Sequence, residues 1–382
     1  MTSETSAMKM PLHQRVVLIT GCSSGGIGHY LALEFAMRGF KVYATARNPS
    51  KIDPILESHG VINVQIDVMS DDSVNNAVNQ VLREAGCIDI LVNNAGQICV
   101  GPVVEVPMDR AREVFEVNVL GVARVCHAVV PHMMDRRSGI VINIGSVSGY
   151  MSTPWVGYYA ASKAAVHTLS DALRMEVEPF GVKVVVVAPG SVRSHLVDAH
   201  MQRESLLEDG SRYKMAKDAV RARAELSQKE ESMDTELFAR RVVDLVFKKD
   251  GPGRYATFGG NALAAWIAYF LPPRLRDFYL ARMFGTSKLK EDLLAESKAT
   301  AAGVCPVSHR AGSRCPMGHQ SRGDRSGSSS SSSSNGSFMA RCPVTNPTAW
   351  TAAAASATAF AVFYVYRNPD IVDRTLRLLG IK

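Results

Sequence analysis

The residues in this chain best placed to do chemistry are a phenol and an amine four positions apart, Tyr159 and Lys163 in Gly157-Tyr158-Tyr159-Ala160-Ala161-Ser162-Lys163. On a helix that spacing puts both side chains on one face, about one turn apart. An ammonium beside a phenol favours the phenolate, so Lys163 would draw the Tyr159 pKa toward that of an acid useful at neutral pH. Surface helices reach the same spacing by chance, so the pair needs support from elsewhere. Tyr158 has the wrong spacing to Lys163 and reads as packing.

Support comes from the segments that would carry a nucleotide. Arg15 to Thr20 is an apolar, β-branched run, followed at once by GCSSGGIG and a helical pattern of Leu31, Leu33, Phe35 and Ala36. Strand, glycine turn and helix form a phosphate cradle: Gly21 permits the turn, Gly25, Gly26 and Gly28 admit a pyrophosphate, and the helix N-terminus offers unpaired N–H groups. The run Lys41 to Ala46 ends in Arg47, where a dinucleotide fold meets the adenosine ribose. An arginine there, with no acid, suits a 2′-phosphate and points to NADP(H) over NAD(H); the alternative is a solvated loop charge. Val61 to Ile66 ends in Asp67, placed to accept from an adenine amino group, and Ile88 to Val92 ends in Asn93-Asn94-Ala95-Gly96, small enough to pass close to a ribose.

The remaining elements bring two more polar groups toward the pair. Ser146 follows the strand-like run Gly139 to Ile144, and Asn118 interrupts the apolar face of a helix from about Arg110 to Met134. Asn118 is either a satisfied core amide or the holder of a water that links Lys163 to solvent. A helix from about Gly157 to Glu178, a strand Val182 to Val187, a helix Glu236 to Phe247 and a last strand near Tyr255 to Phe258 continue the alternation. Valine- and isoleucine-rich strands without polar alternation indicate a buried parallel sheet, hence a doubly wound α/β domain with its ligands at the carboxyl ends of the strands.

TGCSSGGIG, NNAG, Asn118, Ser146, the YxxxK pair and Pro189-Gly190-Ser191-Val192 stand in an order and spacing that resembles the short-chain dehydrogenase/reductase family, from about Arg15 to Phe258. The resemblance implies a Rossmann-type oxidoreductase acting on alcohol or ketone groups, with no metal in its site. It implies Tyr159 as general acid, Lys163 lowering its pKa and holding the nicotinamide ribose, Ser146 hydrogen-bonding the substrate carbonyl, and Asn118 supporting the proton relay. It implies an NADPH site drawn from Gly21, Ser23, Ser24, Gly26, Ile27, Gly28, Arg47, Asp67, Val68, Asn94, Ala95, Gly96, Tyr159, Lys163, Pro189, Val192 and Ser194. One glycine is extra against the family's T-G-x-x-x-G-x-G, which leaves open whether Gly25 or Gly26 meets the pyrophosphate, and Ser194 stands where threonine is usual. NNAGQ, ASKAAVH, EVEPFGVKV and the apolar segment after the fold most resemble fungal reductases of acyl-dihydroxyacetone phosphate. That implies reduction of a lipid ketone to lysophosphatidate at the cytoplasmic face of the endoplasmic reticulum or at lipid droplets. Other relatives of this kind are steroid or retinoid oxidoreductases.

With 382 residues, 46% of them hydrophobic, the chain can bury one main domain and leave appendages. The net charge of +7 is concentrated late: nine Lys or Arg stand against three Asp from Ala301 onward. The basicity therefore suits an anionic surface near the tail and not a nucleic-acid-binding core. Scattered cysteines suggest a reducing compartment, and no apolar run of signal-peptide length precedes the first strand.

Residues 1–14 read as an arm, 15–258 as the reductase domain, and 195–234 within it as a substrate lid whose Met201, Leu206, Leu207, Tyr213 and Met215 could line an apolar pocket. Residues 259–297 form an apolar extension. Its charge-free Asn261 to Leu271, followed by Arg274, Arg276 and Arg282, suits insertion into one leaflet, or else a helix covering the pocket or a contact in a homo-oligomer. Residues 298–346 read as a disordered linker carrying Cys305-Pro306, Cys315-Pro316 and Cys342-Pro343, which could bind haem through thiolate or hold zinc. A membrane-tethered haem or redox sensor is thus the reading of a different class. Residues 347–382 hold a charge-free stretch, Ala349 to Tyr366, either a tail anchor or an amphipathic helix.

Overall fold

A strand of valine and isoleucine with no polar alternation is stable only where both its faces are covered, and this chain covers them with helices. The computed structural model describes residues 15–194, 206–248 and 252–301. Its strands are β1 (Val16–Thr20), β2 (Lys41–Ala46), β3 (Ile62–Gln65), β4 (Ile90–Asn93), β5 (Gly139–Ile144), β6 (Val182–Val187) and β7 (Tyr255–Ala256). They form one seven-stranded parallel sheet in the order β3-β2-β1-β4-β5-β6-β7. This is the doubly wound Rossmann-type fold, and the strand order reverses between β1 and β4, which opens a crevice at their carboxyl ends.

The helices are α1 (Ile27–Met37), α2 (Ile55–Ser58), α3 (Asp71–Ala85), α4 (Met108–Phe115), α5 (Gly121–Asp135), α6 (Gly157–Val177), α7 (Lys217–Ala224), α8 (Thr235–Asp244), α9 (Ala262–Phe270), α10 (Pro273–Met283) and α11 (Thr286–Ala301). On one face of the sheet Leu31 and Phe35 of α1 and Phe238 and Val242 of α8 pack with Ile19 and Val187. On the other, Val78 of α3, Val125 and Val129 of α5 and Val166 of α6 pack with Leu18, Leu91 and Val141. The local signals agree with these ends: Ser70 caps α3 by accepting from Ser73 N, acids fill its first turn, and Gly86 closes it at φ +77°. Met108–Asp135 is long and apolar enough to cross a membrane, yet its α5 part lies in this second core.

Two elements depart from the sequence reading. The single helix expected from about Arg110 to Met134 is interrupted by a π-helical turn, Glu116–Leu120, centred on Asn118. β7 is two residues long instead of four, because it is an edge strand paired only with β6.

The extension after β7 joins the domain through a third core. Leu280 and Phe284 pack with Trp155, Val156, Val220 and Ala224, and Trp155 Nε1 donates to Phe284 O at 2.9 Å. Leu206, Leu207 and Tyr213 also pack here, and Met215 is exposed. None of these four lines the cavity at Tyr159: three pack in the third core, and Leu206 and Leu207 line a separate cavity with Val100, Val106 and Pro107. Met201, residues 1–14, the Cys305, Cys315 and Cys342 motifs, the serine run and Ala349 to Tyr366 lie outside the described residues.

Candidate active site

The glycine turn and the NNAG loop meet at the β1/β4 crevice. Gly21 adopts φ +75°, and a Cβ there would sit 2.8 Å from Ala95 Cα; one on Gly28 would lie 2.4 Å from Gly21 O and 2.5 Å from Asn94 Nδ2. Only glycine lets the two loops touch at these points. Asn94 locks them by donating from Nδ2 to Thr20 O and Gly21 O, each at 2.9 Å. Gly25 takes the left-handed φ of +69°, whereas Gly26 is the extended N-cap of α1. The extra glycine is thus divided between a turn and a helix start. No side chain caps α1, so the N–H groups from Ile27 onward are open to an anion.

Of the other expected cofactor contacts, Ser23 O accepts from Gly26 N within the turn, and Ser24 Oγ donates to Asp53 in the segment after β2. Arg47 is exposed at the end of β2, with no acid between Ala46 and Lys51. Asp67 follows β3 and accepts from Met69 N through Oδ1, and Val68 is buried against Gly121. Pro189 O accepts from Val147 N, Val192 is buried, and Ser194 O accepts from Gln228 Nε2. Ile27, Pro189, Val192 and Ser194 all border the cavity that holds Tyr159.

At the carboxyl end of β5 the four expected reactive residues converge. Lys163 is buried and donates from Nζ to Ile144 O at 2.8 Å, 5.9 Å from the Tyr159 ring centroid. Asn118, wholly buried in the π turn, accepts from Gln97 N at 2.7 Å and donates to Gln97 O and Ser162 Oγ, each at 2.9 Å. Ser162 Oγ in turn donates to Tyr159 O at 2.7 Å. The Asn118 side chain therefore spends its bonds on protein groups, joining the NNAG–Gln97 loop to α6, as the satisfied-amide reading has it. Gly96 sits against it: a Cβ there would be 3.2 Å from Asn118 Oδ1 and 3.6 Å from Lys163 Nζ.

Burial controls the electrostatics. Desolvation pulls Lys163 down to about 8, so its charge is held only loosely at neutral pH. Desolvation also raises the Tyr159 phenol above its ordinary value, opposed by a hydrogen bond with Ser146 and by the charge of Arg223. A cation not expected from the sequence, Arg223 in α7, thus acts on the phenol as well as the neighbouring Lys163. Tyr159 is half-buried and borders the cavity.

Two residues absent from the sequence-based site stand here. His167 lies under the Ser146 loop, with Nε2 accepting from Ser146 N at 3.4 Å, and a Cβ on Gly145 or Gly149 would strike its ring at 2.3 or 2.6 Å. Its place one helical turn beyond Lys163 was the available signal. Arg223 of α7 is buried and lines the same cavity as Tyr159, and no local pattern announces it. The cavity measures about 340 Å³. Ser146 and Tyr159 lie at one wall and Ala265, Ala268, Tyr279, Met283 and Phe284 of the extension form another. Of the three roles open to the extension, covering the pocket is the one this geometry shows. Among the described residues no cluster of His, Cys, Asp or Glu could hold a metal.

The geometry agrees with the proteins this chain resembles. A family model described as short chain dehydrogenase matches residues 15–205. A short-chain dehydrogenase of Penicillium ochrochloron is 34% identical over 281 residues, 72% of this chain and all of that protein. An NADPH-dependent 1-acyldihydroxyacetone phosphate reductase of Schizosaccharomyces pombe is 37% identical over 48% of this chain and 62% of its own length. A 3-ketodihydrosphingosine reductase of Bacteroides thetaiotaomicron is 38% identical over 49% and 67%. A short chain dehydrogenase/reductase of Burkholderia phymatum, solved in complex with NAD, superposes with a TM-score of 0.58 at 26% identity, covering 70% of this chain and 94% of that one.

Proposed function

Since the chain belongs to the short-chain dehydrogenase family, and so is an oxidoreductase, we propose that it is an NADPH-dependent reductase of a lipid ketone, with acyl-dihydroxyacetone phosphate as the leading substrate. The observation that carries this reading is the cavity, in which Ser146 and Tyr159 face an apolar wall supplied by the extension. A wall of Ala, Tyr, Met and Phe favours an acyl chain, and two relatives, each matching about half of this chain, are named for reducing lipid ketones.

The cofactor fits the residues present. The glycine contacts that a Cβ would fill and the uncapped start of α1 make room and charge for a pyrophosphate, and Arg47 stands where a 2′-phosphate would be read. Gly21, Ser23, Ser24, Gly26, Ile27 and Gly28 would hold the pyrophosphate end, Asp67, Val68, Asn94, Ala95 and Gly96 the adenosine and ribose, and Pro189, Val192 and Ser194 the nicotinamide. NADPH supplies a hydride when bound; the protein supplies the proton. Tyr159 gives that proton to the carbonyl oxygen, and the raised pKa of its phenol keeps it protonated until then. Ser146 donates a hydrogen bond to the same oxygen. Lys163, pinned to Ile144 O, stabilises the phenolate that remains, and Asn118 fixes the loop and the helix that carry the reacting groups.

On this reading the enzyme works at a membrane or lipid-droplet surface, at the cytoplasmic face of the endoplasmic reticulum. Exposed Ile267, Leu275 and Phe278, flanked by Arg274 and Arg282, support that placement. The test is NADPH oxidation by purified protein with acyl-dihydroxyacetone phosphate, 3-ketodihydrosphingosine, a keto-steroid and retinal. Turnover of a lipid ketone, falling by about 10²–10⁴-fold in Tyr159→Phe with NADPH binding retained, is the expected result. Undiminished turnover in that variant removes Tyr159 from its role, and turnover of the steroid or retinal alone removes the lipid-ketone assignment.

A further inference from the structure

The cavity beside Tyr159 is charged in one sense only. Among the described residues that line it are two cations, Arg223 and Lys229, and no Asp or Glu. Lys229 is at the exposed rim, whereas Arg223 is buried, with 9% of its surface accessible. Its only hydrogen bond among the described residues runs from Nε to Thr153 Oγ1 at 2.9 Å, and its guanidinium carbon stands 5.7 Å from the Phe284 ring centroid. Among the described residues no carboxylate pairs with it, and none offers an acceptor to either terminal nitrogen.

An unpaired buried cation costs several kcal/mol, and a guanidinium cannot escape that cost by losing its proton at neutral pH. Desolvation lowers its pKa only to about 10, so it remains charged. Thr153 occupies Nε and the Phe284 ring stands against the guanidinium, so Arg223, which lines the cavity, keeps its Nη pair as a planar fork for a ligand. A planar fork of this kind matches the paired oxygens of a phosphate or carboxylate. Arg223 lines the same cavity as Ser146 and Tyr159, and its charge acts on the Tyr159 phenol.

We propose that Arg223 is the specificity-determining residue for an anionic group, a phosphate monoester or carboxylate, that the substrate carries near its ketone. This rests on the lipid-ketone reading and sharpens it. An acyl ketone bearing an anion is favoured, an uncharged one is accepted weakly, and an amino-ketone lipid, cationic at that position, is disfavoured. The apolar wall takes the chain and Arg223 takes the head.

The experiment uses the full chain with NADPH and four ketones of matched acyl length: acyl-dihydroxyacetone phosphate, a carboxylate analogue, uncharged acyl-dihydroxyacetone and 3-ketodihydrosphingosine. The expected result is a kcat/KM for an anionic ketone on the order of 100-fold above that of the uncharged one. Arg223→Met should abolish this preference: the ratio of kcat/KM for the anionic ketone to that for the uncharged one should fall toward one through a raised KM for the anionic ketone, with NADPH affinity unchanged. Arg223→Lys, which keeps the charge but not the fork, should recover part of the preference. The phosphate and carboxylate arms show which anion is read. Equal turnover of charged and uncharged ketones by the wild-type enzyme overturns the proposal, as does an equal loss on all four ketones in Arg223→Met. If no ketone is reduced, the lipid-ketone reading itself fails. Calorimetric binding of lysophosphatidate against monoacylglycerol then still decides the role of Arg223, because an Arg223-dependent preference for the phosphate supports it and its absence overturns it.

Discussion

Lys163 and His167 occupy successive turns of α6, and burial pushes both toward their neutral forms. For Lys163, drawn down to about 8, the consequence is catalytic. The amine must be charged to stabilise a phenolate, so kcat/KM for reduction should fall as pH rises through about 8. A profile flat from pH 7 to 10 would exclude Lys163 from the proton chain. For His167 the consequence is stability. Burial first, then the Lys163 charge, lower its pKa from 6.5 to about 4 against the pull of Asp171. The unfolded chain therefore binds a proton that the folded one refuses, and stability that is complete above pH 6.5 is lost as pH falls from 6.5 toward 4. The loss is on the order of 3 kcal/mol. Thermal melts across that range should show it, and His167→Gln should flatten the decline even if its melting temperature is lower throughout.

At the scale of elements, the site depends on close contacts between loops and helices that belong to different strands. Gly28→Ala would thrust a methyl group against Gly21 O and Asn94 Nδ2. The glycine turn and the NNAG loop would separate, and NADPH affinity should weaken by at least about tenfold, equivalent to about 1.4 kcal/mol, when titrated by fluorescence. The Trp155–Phe284 hydrogen bond holds the extension against the cavity, and Trp155 sits at φ +74°. Trp155→Phe deletes that bond, worth about 1 kcal/mol, and loosens the wall. KM for a long-chain ketone should rise several-fold while kcat for a short-chain ketone stays near wild type. An unchanged chain-length dependence would mean that the extension does not select the acyl chain. The π turn at Asn118 is a further cross-element device, since it carries the side chain that spans the Gln97 loop and Ser162.

At the scale of the whole molecule, the extension has two faces, one lining the cavity and one exposing Leu275 and Phe278, neither of which lines it. Replacing both by aspartate should release the full chain from vesicles of anionic phospholipid in a flotation assay, with turnover of a short soluble ketone retained. Undiminished flotation would assign membrane attachment to another part of the chain. The parallel sheet was legible because burial on both faces imposes valine and isoleucine on every central strand, as in Val182–Val187. The dinucleotide turn was legible because Gly21 and Gly28 stand where a Cβ has no room. Tyr159, Lys163, Ser146 and Asn118 could be singled out by type and spacing, and the fold brings them together near the carboxyl end of β5. Tertiary packing alone decided which groups surround them. Arg223 and Phe284 lie 64 and 125 residues beyond Tyr159, and only the third core brings them to it. Sequence patterns record what neighbours along one strand or helix must share; the charge and shape of the cavity arise where separate elements meet, so its electrostatics, down to the cation that acts on the Tyr159 phenol, had no local trace to read.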